Sequence, residues 1–259
     1  SGNATNVVID GKNLNVRLFA NFNNGSTDFT LRHVTVVNCT TGDGNAGGAA
    51  VNIARGHVSN CIFRDNNRAK ASVVFIDGNT VVENCLFYQN GTFGQSVGAQ
   101  LQLGNHKLYT NLGSPVALNC TLISDKGTCN IYVGTTSHTS SVDAGQNNGL
   151  AINCLDIDYE VAGAILDDGT HYFNCAGTYA RPDVAGWTKV FKNEVIDAQF
   201  RPLAGSAIVD AGSASLYDRW ASVPSIEAHD LSGTNRLISS TVDIGAAALL
   251  KQGLVIILR

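Results

Sequence analysis

The chain has 259 residues, of which 44% are hydrophobic but only 15% charged and 7% aromatic, and its net charge is −4. That length buries enough apolar surface to fold without disulfide staples, and an ordinary apolar fraction with only four prolines excludes a disordered chain. The slight acidity provides no basic field for a phosphate backbone, so nucleic acid is not an expected partner.

Polarity comes instead from 27 Gly and 26 Asn, residues that are poor in helix interiors and good in turns. The chain contains no Met and opens without a charged segment leading into an apolar one, so a processed or excised chain is expected. From the N-terminus, the first well-marked strand is Ala50-Val-Asn-Ile53, closed by a turn at Gly56. Next comes His57-Val-Ser-Asn-Cys-Ile-Phe63 with the polar turn Arg64-Asp-Asn-Asn67. The cycle repeats as Val73-Val-Phe-Ile76, the turn Asp77-Gly78, Val81-Val-Glu-Asn-Cys-Leu-Phe87 and the turn Tyr88-Gln-Asn-Gly91. Period-two alternation in such short runs argues strand, and no dozen residues show a helical stripe.

Six of the seven cysteines follow an asparagine directly: Asn38-Cys39, Asn60-Cys61, Asn84-Cys85, Asn119-Cys120, Asn153-Cys154 and Asn174-Cys175. Their spacings are 22, 24, 35, 34 and 21 residues, a period that signals a solenoid whose repeats bury surface against their neighbours. About 22 residues divided into short strands suit one coil of an all-β, single-stranded parallel β-helix. A corner at Asn60 breaks the alternation, so Val58, Cys61 and Phe63 all point inward. Asn is the non-glycine residue that best accepts left-handed backbone angles, and stacked Asn amides are expected to bond from coil to coil. The cysteines are read as a column of free thiols rather than disulfides, whose geometry parallel neighbours seldom present. Cys129 stands outside the pattern, and no C-x-x-C pair suggests zinc. The two long intervals are expected to hold insertions at 104–115 and 134–149.

Beyond Cys175 the texture changes: both Trp187 and Trp220, and Pro182, Pro202 and Pro224, lie there. Residues 1–175 are therefore read as coils, and 176–259 as the last coil or coils and a C-terminal cap continuous with them. The terminal run Leu254-Val-Ile-Ile-Leu258 is far shorter than the ~20 residues that span a bilayer. It reads as a buried strand or as the start of a segment cut away, and no transmembrane segment is expected.

The runs Arg201-Pro-Leu-Ala-Gly-Ser-Ala-Ile-Val-Asp-Ala-Gly212, Asp230-Leu-Ser-Gly-Thr-Asn-Arg236 and Val242-Asp-Ile-Gly-Ala246 resemble the C-terminal signature of secreted bacterial right-handed β-helix proteins, the choice-of-anchor Q group. Ala207 and Ala248 depart from that pattern, standing where the family has a proline and a closing acid. The resemblance implies a right-handed helix and an extracellular or cell-surface location, and it leaves activity open. Asp210, Asp230, Arg236 and Asp243 are read as an Arg–carboxylate network that pins the cap. No cofactor is expected, with a calcium ion held by those carboxylates as the exception.

Because β-helix polysaccharide lyases and polygalacturonases share the architecture, catalytic residues need to be sought. Asp156, Asp158 and Glu160 lie on one face of a strand, with Asp168 and His171 close behind, and form the candidate acidic site for a cation or sugar. Arg64, Arg68 and Lys70 form the candidate basic site for a lyase. The tripeptides that mark polygalacturonases are absent. The favoured reading is a secreted or surface protein that binds an extracellular polysaccharide or a surface protein, and the alternative is a polysaccharide lyase or glycoside hydrolase.

Overall fold

A computed structural model describes residues 7–14, 17–21, 28–40, 48–66, 72–90, 99–104, 113–124, 129–133, 149–157, 172–178, 186–215, 229–233 and 241–248. These are almost entirely β, with one short helix at Lys192–Val195. Gly212–Ser213 and Thr241–Val242 form an antiparallel pair, and the other strands form three parallel stacks. The first runs Val8–Asp10, Thr35–Val37, Ile62–Arg64, Leu86–Tyr88, Thr121–Ile123, Leu155–Ile157, Ala176–Gly177 and Thr188–Lys189, in that order across the sheet. The second consists of Phe29–Arg32, Val116–Leu118, Leu150–Ile152 and Tyr172–Phe173 with the far halves of Val51–Ser59 and Val74–Glu83. The third joins the near halves of those two long strands to Phe19–Asn21, Ala99–Leu103 and Cys129–Val133. Gly56 and Gly78, expected to end strands, lie inside the long ones. The ladder bends there without breaking, with a register shift between Ile53 and Arg55.

From Phe19 to Ile157 the chain visits the third, second and first stacks in turn, so side chains from all three meet in one core. Val58, Cys61 and Phe63 are fully buried in it, as a corner at Asn60 predicts. Phe63 and Phe87 stack with ring centroids 5.0 Å apart. Among the described residues no helix is long and apolar enough to cross a membrane.

The corner between the second and first stacks explains the Asn-Cys repeat. Asn60, Asn84, Asn119, Asn153 and Asn174 all have φ between 50° and 53°, the left-handed region that Asn enters at least cost. Each turns the chain so that the following cysteine points inward, and each of these thiols is free and buried. The backbone bonds run Cys61 O to Leu86 N, Cys85 O to Thr121 N, Cys120 O to Leu155 N and Cys154 O to Ala176 N, at 2.8–3.0 Å. The column extends beyond the cysteines. Val34 O accepts from Ile62 N and Cys175 O from Thr188 N, so His33-Val34 begins the series and Gly186-Trp187 ends it. His33 and Gly186 share the left-handed backbone, and a Cβ on Gly186 would come within 3.0 Å of Asn174 Oδ1. Trp187 closes the column, its ring edge-on to Tyr172 at 5.6 Å.

Asn38-Cys39 belongs elsewhere, which corrects the sequence reading. Val37 pairs with Arg64, and Asn38 N donates to Asp65 O at 3.3 Å. The pair therefore sits at the far end of the first stack, in a second corner with Asp65-Asn66 and Gln89-Asn90, whose leading residues have φ of 51–56°. The 22-residue spacing from Cys39 to Cys61 is thus not a period. The equivalent positions His33 and Asn60 are 27 apart.

At this second corner the inward side chains that follow Cys39 are amides, and they form a relay. Asn66 Oδ1 accepts from Cys39 N, Asn90 Oδ1 from Asn66 N and Nδ2, and Gln100 Oε1 from Asn90 Nδ2, at 2.8–3.1 Å. Gln100 Nε2 donates to Asn130 Oδ1, and Asn130 Nδ2 donates to Asp156 Oδ1 at 2.8 Å. All five polar side chains are buried, and the bonds satisfy groups that would otherwise cost about 1–3 kcal/mol each to bury.

The C-terminal residues run back along the first corner as a strap. Asn174 Nδ2 donates to Ala211 O (2.7 Å), Asn153 Nδ2 to Ser213 O (3.1 Å) and Asn84 Nδ2 to His229 O (3.0 Å). Asn60 Nδ2 reaches the same His229 carbonyl at 3.4 Å. The corner amides thus mainly bond outward to the strap, and one bond between neighbours, Asn174 Nδ2 to Asn153 Oδ1, follows the expected ladder. Ile208, Ile244 and Ala246 of the strap pack on Ile62, Leu86, Ile123 and Leu155. Gly245 permits the close approach, because its φ is 101° and a Cβ would lie 2.6 Å from Thr121 Oγ1.

Candidate binding pocket

Side chains alternate along the first stack, so Ile62, Leu86 and Tyr88 project outward under the strap. Together with Leu231, Ser232, Ala246 and Ala247 of the strap and the 199–201 turn they enclose a pocket of about 270 Å³. That volume is slightly below the ~300–1,000 Å³ usual for small-molecule sites, so it suits a single ring. Tyr88 and Phe200 form its aromatic wall, with centroids 4.7 Å apart and planes tilted by 41°.

The turn at 197–201 sets the position of Phe200. Asp197 Oδ1 accepts from Gln199 N and Arg201 N, both at 2.9 Å. Its Oδ2 binds Arg201 Nε at 2.9 Å and lies 2.8 Å from Nη2. Burial works to raise the Asp197 pKa, but the bonds from Arg201 and Gln199 outweigh it and hold the carboxyl below its ordinary 3.8. Phe200 N donates to Asp197 O at 3.0 Å, and Phe200 has a φ of 62°. A left-handed backbone on a bulky residue costs about 1–3 kcal/mol and persists only where its surroundings over-determine it. Here the Asp197 bonds do so, and they aim the ring at Tyr88. Burial raises the Tyr88 pKa; Arg64 opposes that shift and Asp65 adds to it, so the phenol stays a hydroxyl.

The sites anticipated from sequence fall differently. Asp156 occupies the column of Phe63, Phe87 and Leu122, two residues after its corner thiol. It is buried and bonded to Asn130, so it cannot join an exposed acidic face; the alternation that puts Phe63 inside puts Asp156 inside. Asp158, Glu160, Asp168 and His171 lie outside the described residues, as do Arg68 and Lys70. Arg64 is half-exposed and paired with Asp65. Within the strap, Asp243 Oδ1 accepts from Asp210 N (2.7 Å), Asp210 Oδ1 from Thr241 Oγ1 (2.9 Å), and the Asp230 carboxylate from Ser232 Oγ and Ala248 N. These carboxylates fasten the strap to itself; Arg236 lies outside the described residues. Among the described residues no three His, Cys, Asp or Glu side chains converge to hold a metal ion.

Sequence reasoning missed the pocket. Tyr88 was visible as the residue directly after the inward Phe87, but nothing marked Phe200 as left-handed, because that depends on a carboxylate three residues before it. A second polar cluster was also missed: His57 Nε2 lies 2.7 Å from Glu83 Oε1, and the Glu83 side chain is wholly buried. Beside it Ser59 Oγ accepts from Arg32 Nε at 3.2 Å. No family model matches the chain, and no curated protein is significantly similar to it.

Proposed function

We propose that the three stacks close into a right-handed parallel β-helix of the choice-of-anchor Q type, secreted or held at a bacterial cell surface, which binds an extracellular glycan without cleaving it. One observation carries the binding role: a ring-sized pocket on the flank whose aromatic wall is held in place by a strained Phe200. Strain of that kind clusters at binding and catalytic sites, and an aromatic face beside polar groups suits a sugar ring. A pocket between a stack and a strap can hold one sugar of a polymer while the rest of the polymer lies along the flank.

The enzymatic alternative, a polysaccharide lyase or hydrolase, draws on the His57–Glu83 pair. A base oriented by a carboxylate is a common catalytic element, but the Glu83 side chain is fully buried and that of His57 only 10% exposed. Both readings are tested by one glycan panel assayed for binding and for new reducing ends or unsaturated uronates. Binding that disappears in Phe200→Ala, with no turnover, is the expected result. Turnover that disappears in Asp158→Ala would overturn the non-catalytic reading, and binding undiminished in Phe200→Ala would displace the pocket.

A further inference from the structure

Resting on that pocket, we infer that its ligand is a neutral sugar ring with one apolar face, such as a 6-deoxyhexose, and that the site rejects uronates. Charge decides this. Each guanidinium beside the pocket in the described residues is already held by a carboxylate. Arg201 is held through Nε and Nη2 by Asp197, and Arg64 is paired with Asp65. Lys192 Nζ lies over the Phe200 ring, 5.8 Å from its centroid.

Among the described residues, a uronate carboxylate entering the pocket would lose water and meet no guanidinium without a carboxylate partner, and burying such a charge costs several kcal/mol. The floor points the same way. Ile62, Leu86, Leu231, Ala246 and Ala247 are aliphatic, so a methyl-bearing or axial C–H face loses little water against them. Polar partners stand at the rim: the Gln199 amide, the Ser232 hydroxyl and the Tyr88 phenol are enough for two or three ring hydroxyls. A neutral ring lying flat on Phe200 thus meets an aromatic face, an aliphatic floor and a hydrogen-bonding edge.

Asp197 is the residue that sets this preference, because it neutralises Arg201. Asp197→Asn keeps an oxygen to accept from Gln199 N and Arg201 N but releases the guanidinium. Titration calorimetry with methyl glycosides of a 6-deoxyhexose, a neutral hexose and a hexuronic acid tests the inference on the wild type, Asp197→Asn, Phe200→Ala and the pocket-filling Ala247→Phe, with circular dichroism to check folding. The wild type should bind the 6-deoxyhexoside at least tenfold more tightly than the uronide. Asp197→Asn should shift that ratio toward the uronide by tenfold or more, and both Phe200→Ala and Ala247→Phe should weaken the 6-deoxyhexoside at least tenfold. A wild type that prefers the uronide, through binding sensitive to Phe200→Ala and Ala247→Phe, overturns the specificity and leaves the pocket standing. Binding that neither variant weakens, or no binding of any glycoside, overturns the pocket itself.

Discussion

The two corners of the first stack use the same backbone and opposite chemistry. At the corner led by Asn60, Asn84, Asn119, Asn153 and Asn174, thiols point inward and the amides of Asn60, Asn84, Asn153 and Asn174 turn outward to the strap. At the corner led by Asn38, Asp65 and Gln89, the leading side chains face solvent or surface partners and the amides of Asn66 and Asn90 are inside. A left-handed residue is therefore needed at both, but asparagine itself is needed only where its side chain has an acceptor across the gap. That difference can be broken at single positions.

The largest effect should come from Asn153. It holds the strap through Ser213 O and Ser213 N and receives Asn174 Nδ2. Asn153→Val adds the left-handed penalty, about 1–2 kcal/mol, to unmade buried hydrogen bonds worth about 1–3 kcal/mol. Urea unfolding should show a lower midpoint, with a loss of about 2–5 kcal/mol. Asn153→Gly, which keeps the backbone, should recover the first part only. Equal losses in the two variants would mean that the backbone angle contributes nothing.

Next in size is the inner relay. Asn90→Leu removes the acceptor of Asn66 N and the donor to Phe63 O and Gln100 Oε1. A loss of about 2–4 kcal/mol is expected from buried groups of that kind, read again from the urea midpoint. At the neighbouring exposed Gln89, φ 51°, glycine relieves the left-handed backbone but loosens the unfolded chain. Gln89→Gly should therefore stay within about 0.5 kcal/mol of the wild type. The same exchange is costly at Asn153 and neutral at Gln89 only if the strap is what distinguishes the corners.

The repeat itself was legible from sequence because both its requirements are local: Asn for the angle, and a small apolar residue next to it. What was illegible depended on partners far along the chain. Asn38-Cys39 matches the repeat in letters, yet its register is set by pairing with Arg64 and Asp65, which no spacing records. His33-Val34 and Gly186-Trp187 belong to the column without sharing its letters. The outward amides could not be predicted because their acceptors, Ala211, Ser213 and His229, lie from 37 to 169 residues away. Asp156 could have been placed correctly: applying the Val58–Cys61–Phe63 rule three repeats further puts it in the core.

The smallest effect separates the thiols. Burial, the Asp10 carboxylate and, in opposition, the Gly11 N–H together push Cys39 up to about 11, from an ordinary 9.0. Burial also pushes Cys85, Cys120 and Cys175 well above 9.0. A thiol whose folded pKa exceeds its unfolded one holds its proton more tightly when folded, so its stabilisation is intact below pH 9 and drains away as pH rises. The Cys39 share is fully lost by about pH 11, whereas Cys85, Cys120 and Cys175 go on losing theirs beyond it. Urea midpoints measured from pH 8 to 11 should fall in the wild type, and fall by less in Cys39→Ala. Because only the thiolate reacts, iodoacetamide should label Cys39 before Cys85, Cys120 and Cys175 as the folded protein approaches pH 11. Labelling of Cys120 ahead of Cys39 would mean that the corner column is open to water, and the sealing role given to Trp187 and the strap would be wrong.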